Sequence, residues 1–289
     1  MKVSDIIKEK DLTLSFEVFP PKNGTDGEAV VAAAQEIADL HPDFMSVPYG
    51  AGGSSSKHTA KIAAMLTEKY GVPTVAHLTC VGSKKDDILK SLDELKTLGV
   101  ENILALRGDM PQDGSGSDGD FLYASELIEY IRKHHGESFC IGGACYPQGH
   151  VESPSASADL VRLKEKTESG CDFLTSQMFF DNDIFYRFMY KVRDIGIATP
   201  VFAGIMPVTN RAQMKRICSL SGTTLPQRFV AILDKFGSKP EAMAQAGIAY
   251  ATEQIIDLYA NGVNGVHIYS MNKPWIARAI KNNLSDILS

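Results

Sequence analysis

Residues 73–108, PTVAHLTCVGSKKDDILKSLDELKTLGVENILALRG, decide the fold. The apolar run PTVAHLTC (73–80) is followed by KDDILKSLDELKTLG (85–99), in which apolar residues recur every three or four positions. This spacing predicts an amphipathic helix, and Gly99 is a residue that commonly ends one. A second apolar run, NILALRG (102–108), follows at once. The order strand, helix, strand predicts two parallel strands joined by a crossover helix.

The same unit recurs along the chain. The other apolar runs are TLSFEVF (13–19), DFMSVPY (43–49), FCIGGACY (139–146), DFLTSQMFF (172–180), PVFAGIMPV (200–208) and GVHIYSM (265–271). Helix-like stretches such as EAVVAAAQEIADL lie between them, and several end in glycine. Eight units in 289 residues predict a single closed (β/α)8 TIM barrel, with an open doubly wound sheet as the alternative. The region 210–262 is longer than one helix needs, which predicts extra helices between strands 7 and 8.

Composition narrows the class of protein. The chain is 44% hydrophobic and 22% charged, as is usual for globular proteins, and its net charge of -6 argues against a nucleic-acid or anionic-membrane surface. The sequence has no apolar run of about 18 residues and no signal-peptide pattern at its start. The five cysteines show no CxxC spacing, which predicts reduced core thiols, a cytoplasmic location and no metal site.

Polar residues follow most of the predicted strands, and in TIM barrels the chemistry occurs at the carboxyl ends of the strands. In chain order these residues are Glu17, Tyr49 with the loop 50–53, His77, Thr79, Arg107, Gly108, Asp109, Tyr146, His150, Gln177, Asn210, Gln213, His267, Tyr269, Asn272 and Lys273. Glu17 could instead form a structural salt bridge, His77 could be a core histidine, and Gln177 could belong to a core network. Their convergence on one barrel mouth predicts a functional site.

Two glycine-rich stretches imitate nucleotide-binding motifs. GSGSDG (114–119) fits G-x-G-x-x-G, but its first glycine is not at a strand end, so it is interpreted as a flexible loop. GAGGSSS (50–56) lacks the Lys-Ser/Thr pair of a phosphate loop, so it is interpreted as a tight loop before a helix.

Eight motifs together resemble one family. They are FEVFPPK, HLTC, LALRGDMP, YASELI, ACYPQGHVES, TSQMFFDND, GIMPVTN and HIYSMNK, in this order along the chain. They resemble the catalytic barrel of bacterial-type methylenetetrahydrofolate reductases. The resemblance implies reduction of 5,10-methylenetetrahydrofolate to 5-methyltetrahydrofolate, with non-covalent FAD in the barrel and NADH or NADPH as electron donor. It also implies one catalytic domain over residues 1–289, no regulatory domain and a homo-oligomer.

The resemblance also implies residue roles. Glu17 would be the catalytic acid, and Asp109 would lie beside both the flavin and the folate. The residues implied to bind FAD are His77, Leu106, Arg107, Gly108, Asp109, Tyr123, Ala124, Ala144, Tyr146, His150, Asp159 and Lys166. The residues implied to bind the folate are Glu17, Asp109, Gln177, Gln213 and Lys273. The sequence departs from the common bacterial pattern at Pro48, Ile217 and Lys273.

The apolar surroundings of Glu17 suggest why a strand would keep a carboxyl group. The methylene bridge of the folate must open, and the nitrogen leaves more easily once it is protonated. Burial beside Phe16, Phe19 and Pro20 would raise the pKa of Glu17 and keep it protonated. Asp109 would then stabilise the cationic iminium group of the opened folate by its negative charge.

Two rival functions are alternatives to the reductase interpretation. A Schiff-base aldolase would need a lysine on an inner strand face, and the predicted strands carry none internally. A FAD- and folate-binding subunit could instead receive electrons from a partner redox protein. A test for flavin bleaching by NADH distinguishes this subunit from a directly NAD(P)H-dependent enzyme.

Overall fold

The computed structural model describes residues 1–21, 27–48, 56–109 and 118–289, and the side chains of 56 and 57 are outside this description. Eight parallel strands form a closed barrel in chain order, with β8 paired to β1. They are β1 (Thr13–Glu17), β2 (Phe44–Val47), β3 (Thr74–Thr79), β4 (Asn102–Leu106), β5 (Cys140–Cys145), β6 (Phe173–Ser176), β7 (Val201–Ile205) and β8 (Gly265–Tyr269). The predicted TIM barrel is confirmed.

Helices surround the barrel. They are α1 (Val3–Glu9), α2 (Gly27–Ala38), α3 (Ser56–Tyr70), α4 (Lys85–Thr97), α5 (Ala124–His135), α6 (Ala156–Glu168), α7 (Asn182–Asp194), α8 (Arg211–Ser221), α9 (Gln227–Phe236), α10 (Pro240–Ala260) and α11 (Pro274–Asn283). Helices α8, α9 and α10 lie between β7 and β8, the region where the sequence predicts extra helices. Gly99 follows α4 with a φ of 72°, a left-handed conformation that glycine adopts without strain.

The amino-terminal end of the barrel is closed by α1. Val3 and Ile6 on this short helix are buried in a cluster with Phe44, Phe173 and Phe202 from three strands. The Val3 N–H also donates a hydrogen bond to the side chain of buried Asn102 in β4. The pattern VSDIIKE offers only these few apolar positions, and the sequence analysis does not assign this helix.

The other end of the barrel is enlarged by the helices between β7 and β8. Phe180, Phe229 and Tyr250 pack together there, and the Phe180 and Phe229 rings stack with their centroids 4.9 Å apart. A Cβ atom at Gly247 in α10 would lie 1.8 Å from the main-chain oxygen of Val208, so this close approach requires glycine. The contact fixes α10 against the loop that follows β7.

The cysteines of the chain are all free. Cys80, Cys140, Cys145 and Cys171 are buried, and Cys218 is half-buried. The described part of the chain has no cluster of metal-ligating side chains. Every helix within the described ranges is too short or too polar to cross a bilayer.

Candidate active site

Glu17 is the last residue of β1 and lies at the carboxyl end of the barrel. Its ladder partners are Ser46 on β2 and Tyr269 on β8, and only 7% of the residue is exposed. Burial raises the pKa of its carboxyl group from 4.5 to about 8. Within the described residues its charged-group contact is a histidine and not a lysine or arginine, so the geometry does not support a structural salt bridge.

His77 on β3 is that histidine. Its Nε2 atom lies 3.7 Å from Oε2 of Glu17 and has no hydrogen-bond partner among the described residues. Burial, reinforced by His267, lowers the pKa of the imidazole to about 3. The two groups are therefore both uncharged near neutral pH, with the proton on Glu17.

A second buried histidine, His267, lies inside the barrel below Glu17. The two ring nitrogens of His267 on β8 lie within hydrogen-bond distance of the hydroxyls of Ser15 (2.8 Å) and Ser46 (3.0 Å). Its ring stacks on Phe44, with a centroid distance of 5.8 Å. The sequence places His267 at the mouth, but the structure shows it satisfied within the barrel. His267 therefore behaves as the core histidine that the sequence analysis considered for His77.

A cavity of about 370 Å³ opens at the carboxyl end of the barrel, between the ends of β4 and β5 and the helices α5 and α6. Nine of the twelve residues implied to bind FAD line it: Leu106, Arg107, Tyr123, Ala124, Ala144, Tyr146, His150, Asp159 and Lys166. The other three, His77, Gly108 and Asp109, do not line this cavity. Residues from five separate segments of the chain thus meet in one place.

Charged groups are distributed along the cavity. Lys166 is half-buried and donates a hydrogen bond of 2.6 Å from Nζ to the main-chain oxygen of Ala144, and desolvation of its ammonium group lowers its pKa. Burial raises the pKa of the nearby Asp159 carboxyl group. Arg107 forms an ion pair of 2.5 Å with Glu152, an acidic residue that the sequence analysis did not assign. The cavity thus combines three cationic side chains, those of Arg107, Arg162 and Lys166, with an apolar wall.

The turn after β4 depends on a glycine. Gly108 has a φ of 88°, and a Cβ atom there would lie 2.9 Å from Val81. The turn leads to Asp109, which is exposed. The carboxylate of Asp109 is therefore available to a ligand at the mouth.

The three other residues implied to bind the folate do not all meet. Gln213 and Lys273 line a small cleft, in which Ile217 also takes part. Lys273 donates a hydrogen bond of 2.9 Å from Nζ to the hydroxyl of Thr209, and Gln213 is exposed in the first turn of α8. Gln177 does not line that cleft, and its side-chain oxygen accepts a hydrogen bond from the main-chain N–H of Met178.

The residues and the cavity fit a cofactor with an anionic and an aromatic part. Arg107, Arg162 and Lys166 supply positive charge, and Tyr146 and the apolar wall can contact a ring. Tyr49 and the loop 50–53, together with residues 114–117 of the glycine-rich stretch, lie outside the described residues.

A family model named methylenetetrahydrofolate reductase matches residues 2–285, which is nearly the whole chain. The chain belongs to the methylenetetrahydrofolate reductase family. "Methylenetetrahydrofolate reductase 1" of Schizosaccharomyces pombe is 35% identical over 288 residues, covering 97% of this chain and 47% of that protein. "Methylenetetrahydrofolate reductase (NADH) 1" of Arabidopsis thaliana is 33% identical, covering 98% of this chain and 50% of that protein.

A bacterial relative has a similar length. The 5,10-methylenetetrahydrofolate reductase of Pectobacterium carotovorum subsp. carotovorum is 31% identical, covering 94% of this chain and 90% of that protein. The chain thus spans about half the length of the yeast and plant members of the methylenetetrahydrofolate reductase family. It spans most of the bacterial one.

A solved structure shares the barrel. A Clostridium thermocellum protein that binds two copies of 5-methyl-5,6,7,8-tetrahydrofolic acid superposes with a TM-score of 0.68, and the match covers 99% of both chains. Because its sequence is only 13% identical to this chain, the likeness concerns the fold alone.

Proposed function

We propose that this barrel is a flavoenzyme that reduces 5,10-methylenetetrahydrofolate to 5-methyltetrahydrofolate with electrons from NADH or NADPH. The observation that carries the proposal is the buried Glu17 at the mouth of a barrel of this family, with its carboxyl pKa raised by burial, together with a cavity at the ends of β4 and β5 that three cations line. Relatives whose names specify NADH or NADPH support a nicotinamide donor.

The cavity between β4 and β5 is the proposed FAD site. FAD bound there would supply the hydride-transfer chemistry between the nicotinamide and the folate. Arg107 and Lys166 would attract the negative charge of the diphosphate, and Lys166 is held in place by its hydrogen bond to Ala144. Tyr146 and His150, whose rings lie 4.6 Å apart edge to face, would form a firm wall.

Glu17 is the proposed general acid. Opening of the methylene bridge expels a nitrogen of the folate, and a protonated carboxyl group within reach supplies the required proton, worth about 10²–10⁴-fold in rate. Because burial keeps the pKa of Glu17 near 8, the group still carries its proton at neutral pH. Without the apolar surroundings it would be ionised and could not act as an acid.

The remaining polar residues have supporting roles in this proposal. The exposed Asp109 follows β4 and would place a negative charge beside the iminium cation that forms when the bridge opens. Lys273 and Gln213 line one cleft near the mouth and would bind the distal part of the folate, whereas Gln177 would contact the ring from β6.

The proposal is tested with the purified chain. We expect a yellow protein that releases FAD on denaturation, bleaches with NADH or NADPH under anaerobic conditions, and regains its colour with methylenetetrahydrofolate. A protein that binds no added FAD would contradict the proposal. Flavin that bleaches with dithionite but with neither nicotinamide would instead indicate a partner redox protein as electron donor.

A further inference from the structure

We propose that His77 is a positioning residue for Glu17: its Nε2–H donates a hydrogen bond to Oε2 of the carboxyl group, so that the transferable proton is carried by Oε1. This inference rests on the proposed role of Glu17 as an acid and adds a residue that acts through it. It is separate from any contact that His77 makes with a cofactor.

The geometry places the two groups face to face. Nε2 of His77 and Oε2 of Glu17 are 3.7 Å apart, about half an ångström beyond the usual range of a hydrogen bond. Both side chains are buried, and both strands are held by the ladders of β2, which lies between them. The proposed hydrogen bond requires a rotation of one or both side chains that shortens this distance.

The other polar groups around Glu17 in the described part of the chain are already engaged. His267 is held between Ser15 and Ser46, and the Tyr269 hydroxyl donates a hydrogen bond of 2.7 Å to the main-chain oxygen of Ser176. Ser270 donates its hydroxyl to the main-chain oxygen of Glu17 and not to the carboxyl group.

The ionisable groups that face Glu17 from the described elements are thus His77 on β3 and His267 and Tyr269 on β8. In the described part of the chain, only His77 among them has an unpartnered, buried ring nitrogen. His77 is therefore the group best placed to donate a hydrogen bond to the carboxyl group of Glu17.

The protonation states agree with this direction of donation. Burial keeps the pKa of His77 low, at about 3, so the imidazole stays neutral and carries one N–H. Burial raises the pKa of Glu17 to about 8, so the pair holds one transferable proton, on the carboxyl. An N–H donor on Oε2 leaves the acidic proton on the other oxygen, which is free to face a substrate.

The hydrogen bond also stabilises the product of proton transfer. When the O–H bond at Oε1 breaks, an N–H bond forms on the folate nitrogen and a carboxylate remains in an apolar site. A donor that binds the charged form of an acid lowers its pKa, so His77 would counteract part of the effect of burial. Glu17 then regains a proton from water, and His77 keeps its own.

Three variants separate this role from general packing. His77→Leu removes the donor, His77→Gln keeps an N–H near the position of Nε2, and His77→Asn keeps an amide that is too short to reach. The folate half-reaction is followed by stopped-flow absorbance on FAD-loaded protein between about pH 5.5 and 9. The same variants are also made in the Glu17→Gln background, because residues that act through one group are not additive.

We expect His77→Leu and His77→Asn to slow the folate half-reaction about tenfold or more, as for loss of a hydrogen bond to a charged group. Their pH profiles should shift upward, and neither should slow Glu17→Gln further. His77→Gln should stay within about threefold of the wild type. Equal slowing of both half-reactions, or additive slowing in the Glu17→Gln background, would overturn the proposal.

A readout without turnover keeps this test independent of the proposed function. The titration of Glu17 can be followed by difference infrared spectroscopy, with Glu17→Gln as the blank. His77→Leu should raise the midpoint and His77→Gln should not, whether or not folate is a substrate. An unchanged midpoint in His77→Leu would refute the role of His77, whereas a wild-type protein without a folate reaction would refute the proposed function.

Discussion

Oε2 of Glu17 lies 3.7 Å from Nε2 of His77, and each residue is only 7% exposed. Both groups sit at the carboxyl end of the barrel, where burial raises the pKa of the acid and lowers that of the imidazole. The pair is therefore neutral at pH 7 and holds a proton that an exposed glutamate would have lost. The predictions below address this pair and the groups around it.

The stability of the protein should depend on the ionisation of Glu17. With a pKa of 4.5 unfolded and about 8 folded, the folded state binds the proton more tightly, so stability falls as pH rises from about 4.5 to about 8. Glu17→Gln removes this dependence and should be more stable than the wild type at pH 8, by at most about 5 kcal/mol. Urea unfolding at pH 5 and pH 8 checks this, with the exposed Glu36→Gln as a control that should change neither value.

Asp109→Asn should make bound flavin easier to reduce while slowing its reoxidation by folate. Removal of a negative charge near the ring favours the reduced anion, and a rise on the order of 30 mV corresponds to about 1.4 kcal/mol for two electrons. The potential is measured by dye equilibration. Asp194→Asn, at the last residue of α7, is the control variant that removes the same charge outside the proposed FAD site. Equal potentials in both variants would place Asp109 away from the flavin.

Lys273→Ala should raise the KM for folate about tenfold and leave kcat nearly unchanged, because a contact remote from the reacting atoms is equally strong in ground and transition states. Thr209→Val is the control, since it removes the 2.9 Å hydrogen-bond partner of Nζ but keeps the positive charge. It should change KM by less than about threefold. Steady-state kinetics at low salt distinguishes a folate contact from a solvated lysine, for which neither variant would have an effect.

Gly204→Ala should destabilise the barrel. A Cβ atom there would lie 2.2 Å from the main-chain oxygen of Ser176, which also accepts the hydrogen bond from Tyr269. We expect a loss of about 1–3 kcal/mol, as for other overpacked cores. Gly27→Ala in α2 is the control, because the nearest atoms among the described residues are 3.9 Å away and alanine favours a helix. Similar urea midpoints for the two variants would contradict this prediction, because they would show that the barrel relieves the close contact at position 204.

The fold could be predicted because each unit carries a local signal. The apolar run 102–108 and the helical spacing of 85–99 are visible without any tertiary information, and their repetition leaves few alternatives. The short helix α1 was missed because it has only two buried positions, Val3 and Ile6. The helix is stabilised by packing against the amino-terminal end of the barrel and not by an amphipathic pattern of its own.

The site was less accessible to sequence reasoning. Position at a strand end was enough to single out Glu17 and His77, and the family motifs supplied most of the residues that line the cavity. The ion pair between Arg107 and Glu152 joins loops after different strands, so its contact depends on barrel closure and not on spacing. An acidic residue two positions after His150 in the motif GHVES was the only available signal.

The central claim is that Glu17 supplies the proton for folate reduction, and Glu17→Gln tests it most directly. Stopped-flow absorbance separates reduction of the bound flavin by NADH or NADPH from its reoxidation by methylenetetrahydrofolate. We expect reduction to proceed within about twofold of the wild-type rate, and reoxidation to slow by about 10²–10⁴ because only this step needs the proton. Equal slowing of both steps, or reoxidation at the wild-type rate, would contradict the account.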